Sequence, residues 1–128
     1  MTDTVDVVIL TALAVERRAV LDYVGPAKDA GRRGAYRAPI GDYQVVVADM
    51  HGMGNVNAAV ATQQAIAAWD PLHVILAGIA GGVKEPLERM LGDVVVADQL
   101  VYYELAKTAP GGHRVRPEVF RRPCMFRG

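Results

Sequence analysis

Hydrophobic and polar positions along this chain fall into blocks whose period changes. Val5–Thr11 (V-D-V-V-I-L-T) is a nearly unbroken β-branched run, the pattern of a strand buried on both faces and parallel to its neighbours. Apolar residues at Ala12, Val15, Ala19, Val20 and Val24 then keep helical spacing, and Gly25-Pro26 stops that helix. A short segment, Ala35–Ile40, and a strand, Tyr43–Asp49, flank the hairpin-type turn Gly41-Asp42. Gly54–Trp69 predicts an amphipathic, alanine-rich helix closed by Asp70-Pro71. Val74–Ala77 predicts a third core strand, Lys84–Leu91 a connection, Asp93–Ala97 another strand, and Leu100–Tyr103 a prolongation of the sheet. From Thr108 onward Pro and Gly dominate and the element signals fade. Strands alternating with helices predict an α/β domain with a mostly parallel sheet wrapped by helices.

Composition narrows the class. Hydrophobic residues are 52% of 128, enough for a core and too many for a disordered chain. The apolar runs are too short to span a membrane. The start, Met-Thr-Asp-Thr-Val-Asp, lacks the basic region of a secretory signal. A single cysteine, Cys124, excludes an intrachain disulfide and fits a reducing compartment. Together these predict a soluble, cytoplasmic protein. Charge is balanced overall but uneven: residues 107–128 carry Lys107, Arg114, Arg116, Arg121, Arg122 and Arg127 against Glu118 alone, so the remainder is acidic. With no aromatic–basic interleaving, this basic Pro/Gly-rich tail is expected to be a solvated end rather than a nucleic-acid surface.

Two glycine turns follow apolar strands. Gly78, Gly81 and Gly82 crowd the end of the Val74–Ala77 run, which is costly unless the backbone conformation or a close approach demands it. Gly52-Met53-Gly54 opens the second helix but lacks both the full dinucleotide fingerprint and the lysine and hydroxyl of a phosphate loop. Glycine turns at the carboxyl ends of two strands predict a ligand crevice at that rim. Glu16, in the first turns of the first helix, lies next to the same rim. On pattern alone the plainer role for it is an exposed side chain paired with Arg17 or Arg18; the alternative is a partly desolvated general base or acid. His51, His73 and His113 lack metal-ligand spacing, so no metal is assigned. The chain contains no serine, which removes a Ser–His–Asp triad.

Three segments in this order, T-A-L-A-V-E (11–16), G-M-G-N-V-N-A-A (52–59), and L-A-G-I-A-G-G-V with G-D-V-V-V-A-D (76–83 and 92–98), resemble the nucleoside phosphorylase/nucleosidase superfamily. The chain looks most like the methylthioadenosine/S-adenosylhomocysteine nucleosidases, over roughly residues 5–105. The resemblance implies a nucleoside phosphorylase-like α/β fold with a central mixed β-sheet flanked by helices, truncated to the N-terminal half (1–106) and followed by the basic tail (107–128). It implies hydrolysis of the N-glycosidic bond of a purine nucleoside, without a cofactor, in a homodimer or higher oligomer. Glu16 falls on the position of the carboxylate that activates water. Ala12 and Leu13 match positions lining the ribose and its 5′ substituent, Met53 one on the 5′ side, and Ile79, Ala80 and Gly81 the turn beside nucleophile and base. In similar phosphorylases an arginine and a serine hold the phosphate co-substrate. Here those places are Leu76 and Ile79, and an apolar pair cannot compensate a buried dianion, which favours water as nucleophile. Arg17 or Arg18 is a further candidate to reach an anion. The residues that assist purine departure and hold the ribose hydroxyls belong to the family's second half, so this chain alone is expected to be weakly active or inactive. Three other readings stay open: a non-catalytic nucleoside-binding module of a larger signalling or defence protein, a purine nucleoside phosphorylase, and a flavodoxin-like nucleotide-binding domain.

Overall fold

The computed structural model describes residues 4–82, 91–104, 106–110 and 112–121. The chain divides into two units, Met1–Gly81 and Gly82–Gly128.

The first unit is built on a five-stranded mixed sheet. Its strands are β1 (Val7–Thr11), β2 (Lys28–Asp29), β3 (Ala35–Ile40), β4 (Tyr43–Asp49) and β5 (His73–Leu76), in the order β2-β3-β4-β1-β5. β1 runs parallel to β4 and to β5, with Leu10 opposite both Ala48 and Leu76. A strand flanked on both sides and covered on both faces favours apolar, β-branched side chains, which is why the run reads V-V-I-L before the buried Thr11 at its end. β3 and β4 form the expected hairpin, pairing Ile40 with Tyr43. Gly41 takes φ +59° and Asp42 does not follow it into the left-handed region. That is the glycine-first geometry of a two-residue turn whose twist matches the strands.

Two helices, α1 (Ala14–Val24) and α2 (Asn55–Trp69), complete the unit. Alternation assigns the sheet's faces. Val8, Leu10, Val46 and Ala48 share one face, packed with Ala58, Ala61, Ala65 and Trp69 of α2. The opposite face carries buried Val45, Val47 and Thr11, and α1 packs on β1, β3 and β4.

Both helices correct the expected faces. On α1, Val15 is 62% exposed and Ala19 is exposed, while Glu16 is the buried residue. The inner face is Glu16–Val20–Val24 with Arg17 and Leu21, one residue round from the expected stripe, because the Glu16 carboxylate is anchored to backbone at the helix start. On α2, Ala58, Ala61 and Ala65 face the sheet while the larger Val56, Val60 and Ile66 point outward, so the helix is not amphipathic in the expected sense. Its boundaries agree to one residue, and Asp70 ends it in the left-handed conformation with its N–H donated to the Ile66 carbonyl.

The remaining differences concern strands without partners. β5 is an edge strand with Leu76 63% exposed, not a third core strand. In the second unit, residues 93–97 are not a strand, and Val94, Val95 and Val96 are exposed. β-propensity creates no strand without a neighbour to pair with. The Leu100–Tyr103 signal is β6 (Gln99–Tyr102), which pairs with β9 (Glu118–Arg121) in a separate two-stranded sheet instead of prolonging the main one. β7 (Ala106–Ala109) and β8 (Gly112–Val115) form a third small sheet. Thus the tail expected to lack elements holds three strands. Pro110, which follows β7, is a turn residue between the two strands of this hairpin. The expected connection Lys84–Leu91 lies, apart from Leu91, outside the described residues, as does Cys124. Among the described residues, no helix is long and apolar enough to cross a membrane.

Candidate functional site

The three parallel strands β4, β1 and β5 deliver their carboxyl ends to one rim. β1 leads through Ala12 and Leu13 into α1, and β5 leads through Ala77 and Gly78 into Ile79. Ala77 N–H donates to the Leu10 carbonyl at 2.9 Å, which carries the pairing one residue past the strand and brings the two exits together.

Glu16 closes that junction. Its Oε2 accepts the backbone N–H of Leu13 at 2.9 Å and of Ala12 at 3.1 Å, and its Oε1 accepts that of Ile79 at 2.9 Å. The first two bonds make Glu16 half of a capping box: it sits at the third helical position and satisfies donors at the start of α1. The third bond joins residues 63 apart in sequence and is not needed by any helix end. Glu16 is 9% exposed. The Ile79 N–H, aimed at the charge, holds the carboxyl below the ordinary glutamate range. Burial opposes this, and the Leu13 and Ala12 N–H groups reinforce it. The result is an ionised, oriented carboxylate, where the residue pattern alone favoured a solvated ion pair.

Gly78 explains part of the glycine cluster. A Cβ there would lie 3.1 Å from Glu16 Oε1, so a side chain at this position would press on the carboxylate. A Cβ at Gly81 would meet nothing within 4 Å. The close approach demanded by the turn is therefore, at Gly78, that of the chain's own carboxylate.

Among the sequence-predicted site residues, Glu16, Ala12, Leu13 and Ile79 are brought together. Ile79 takes part through its backbone N–H, while its side chain is 78% exposed. Ala80 and Gly81 continue the exposed turn. Met53 lies exposed on the turn after β4, and no described hydrogen bond joins it to Glu16. Arg17 is not available to a ligand: Nη1 is 2.6 Å from Asp49 Oδ2 and the guanidinium lies over the Tyr36 ring. That clamp went unseen in the sequence. Its one signal is an acidic residue, Asp49, at the end of an otherwise apolar strand facing an arginine-bearing helix. Thr11, at the end of β1, is fully buried, and its hydroxyl has no partner among the described residues. No cluster of three His, Cys, Asp or Glu suited to a metal occurs among them either.

Chemically, a carboxylate has about four lone-pair directions. Oε2 has two donors and Oε1 one, which leaves Oε1 able to accept a proton from one more group. A carboxylate with a lowered pKa is a weak base. It suits a water whose target is already strongly electrophilic, as in an oxocarbenium-like transition state, where orientation matters more than base strength.

A family model described as the phosphorylase superfamily matches residues 6–125. The chain is 33% identical over 127 residues to the ATP nucleosidase Cap17 of Escherichia coli (strain KTE188), covering 91% of this chain and 25% of that protein. It is 42% identical over 60 residues to the 5′-methylthioadenosine/S-adenosylhomocysteine nucleosidase of Marinomonas sp. (strain MWYL1), covering 47% of this chain and 25% of the relative. The crystal structure of the corresponding Neisseria meningitidis nucleosidase, in complex with methylthio-immucillin-A, superposes with a TM-score of 0.70 at 27% identity. That superposition covers 94% of this chain and 53% of the other. The chain thus spans about a quarter of those two relatives and about half of the crystallised one.

Proposed function

This chain belongs to the phosphorylase superfamily, and from that premise we propose that it carries the water-activating half of a nucleosidase site, in which Glu16 primes water to displace a purine base from its ribose. The observation that carries the proposal is the bond from Ile79 N–H to Glu16 Oε1. It fixes the carboxylate beside the strand-end turn rather than on the solvent side of α1. Similarity over 127 residues to a protein named as an ATP nucleosidase supports the same reading.

In this proposal Ala12 and Leu13 border the ribose, Met53 the 5′ substituent, and Ile79, Ala80 and Gly81 the nucleophile and base. Residues 1–106 are the first half of the nucleosidase-like domain and 107–128 a basic segment after it. The apolar Leu76 and Ile79 leave no charge to hold a phosphate co-substrate at that turn, so water is the nucleophile and no cofactor enters. In the same reading the protein works in the cytoplasm as a dimer or higher oligomer; the outward-facing Val56 and Val60 of α2 support the oligomer alone.

The test is adenine release from methylthioadenosine, adenosine and ATP, followed by chromatography with and without inorganic phosphate. The expected result is slow release, because the residues that assist purine departure belong to the family's second half; phosphate does not accelerate it, and Glu16→Gln lowers it by about 10²–10⁴, the usual worth of a general base. Binding seen by calorimetry with no release would overturn the catalytic reading in favour of a nucleoside-binding module. Phosphate-dependent release would favour a phosphorylase.

A further inference from the structure

On the α2 face of the sheet, a cavity of about 280 Å³ opens among Arg32, Arg33, His51, Gln64 and Trp69, over an aliphatic floor from β1, β4 and α2. The mechanism above uses none of these five side chains. The two arginines stand on the turn Gly31–Gly34, whose end glycines take φ +77° and +74°. The Gly34 carbonyl accepts the Asp49 N–H at 3.1 Å, pinning the turn to the end of β4. A Cβ at Gly34 would lie 3.1 Å from Asp49 Cβ and 3.4 Å from both Arg17 Nη1 and His51 Cε1, so only glycine lets the turn seat there without displacing them. His51 holds φ +58°, uncommon away from glycine, and its N–H donates to Asp49 Oδ1 at 2.7 Å.

The charges are arranged for an anion. Asp49, the acidic residue in the lining, is neutralised by Arg17. Arg32 spreads over the ring of Trp69 at 5.8 Å, and neither Arg32 nor Arg33 forms an ion pair among the described residues. Two forked guanidiniums, an imidazole and an amide around one small hollow match the donor demand of a phosphate group.

We propose that this cavity is a phosphate-binding subsite. His51 is two residues from Met53. The further step, that the phosphate belongs to the 5′ chain of a nucleotide substrate, therefore rests on the reading that Met53 borders the 5′ substituent.

Trp69 is the single tryptophan of the chain, so its fluorescence reports on the cavity directly. Inorganic tripolyphosphate titrated into the full chain is expected to change that fluorescence saturably. The double variant Arg32→Gln/Arg33→Gln weakens the effect by about tenfold or more. Arg33→Gln, which leaves the Arg32–Trp69 contact in place, weakens it less, and a parent-like circular dichroism spectrum excludes misfolding as the cause. Glu16→Gln binds tripolyphosphate as the parent does, which separates this site from the cleavage reading. Tripolyphosphate that leaves Trp69 unperturbed, or that binds the double variant as tightly, overturns the subsite. ATP binding more tightly than tripolyphosphate, with the difference lost in the double variant, supports a nucleotide's phosphate. ATP binding no more tightly overturns that assignment and leaves a site for free anions.

Discussion

The two units of this chain respond differently to the same kind of sequence. In the first, V-V-I-L-T of β1 lies between parallel β4 and β5 and is covered on both faces. In the second, D-V-V-V-A at 93–97 carries three consecutive β-branched residues but forms no strand, and its valines are exposed. The difference is the neighbour. Burying a strand requires a ladder on its edges and a layer on its faces, and neither is encoded in the strand itself. β5 shows the intermediate case, paired on one edge among the described residues and exposed toward its end.

The sharpest way to break this comparison is to place one charge in each run. Val46→Asp, at a fully buried position of β4, is expected to cost more than about 4 kcal/mol and leave the first unit unfolded. Val95→Asp, at a position 63% exposed, is expected to stay within about 0.5 kcal/mol. Urea unfolding followed by circular dichroism distinguishes them, and equal losses would show that the 93–97 run is buried after all.

Smaller effects probe the rim. Glu16→Gln places an amide where three N–H donors converge, with an expected cost at neutral pH of about 1–3 kcal/mol. The carboxyl's folded pKa lies below its ordinary value of 4.5. Ionisation therefore adds stability above that value, and this contribution is lost as pH falls through the lowered pKa. The gap between parent and variant should narrow over that acid range, and a gap that widens there contradicts the assignment. Gly78→Ala and Gly81→Ala make the finest contrast. The first crowds Glu16 Oε1 and should cost up to about 1 kcal/mol, while the second meets open space and should leave the thermal midpoint near the parent's.

Much of the first unit was legible in its residues. The hairpin around Gly41-Asp42, the parallel placement of β1 and the bounds of α2 follow from local chemistry. The mixed sheet flanked by helices, expected from the family resemblance, is the observed architecture. The inner face of α1 was not legible from apolar spacing, because a charged side chain fixed by backbone donors turned the helix by one residue. The Arg17–Asp49 clamp and the Gly31–Gly34 turn escaped for a related reason: each depends on pairs distant in sequence that the sheet brings together. Glu16 was visible as a position beside the rim. That it is buried, ionised and tied to Ile79 required the fold.

The central physical claim is that the turn after β5 and the start of α1 together hold Glu16 as an ionised carboxylate at the rim. Carbon-13 NMR titration of the Glu16 carboxyl in the full chain tests it most directly. The account predicts a midpoint below 4.5 that moves upward in Gly78→Ala. A midpoint at or above the ordinary glutamate value, unmoved by that substitution, would contradict it.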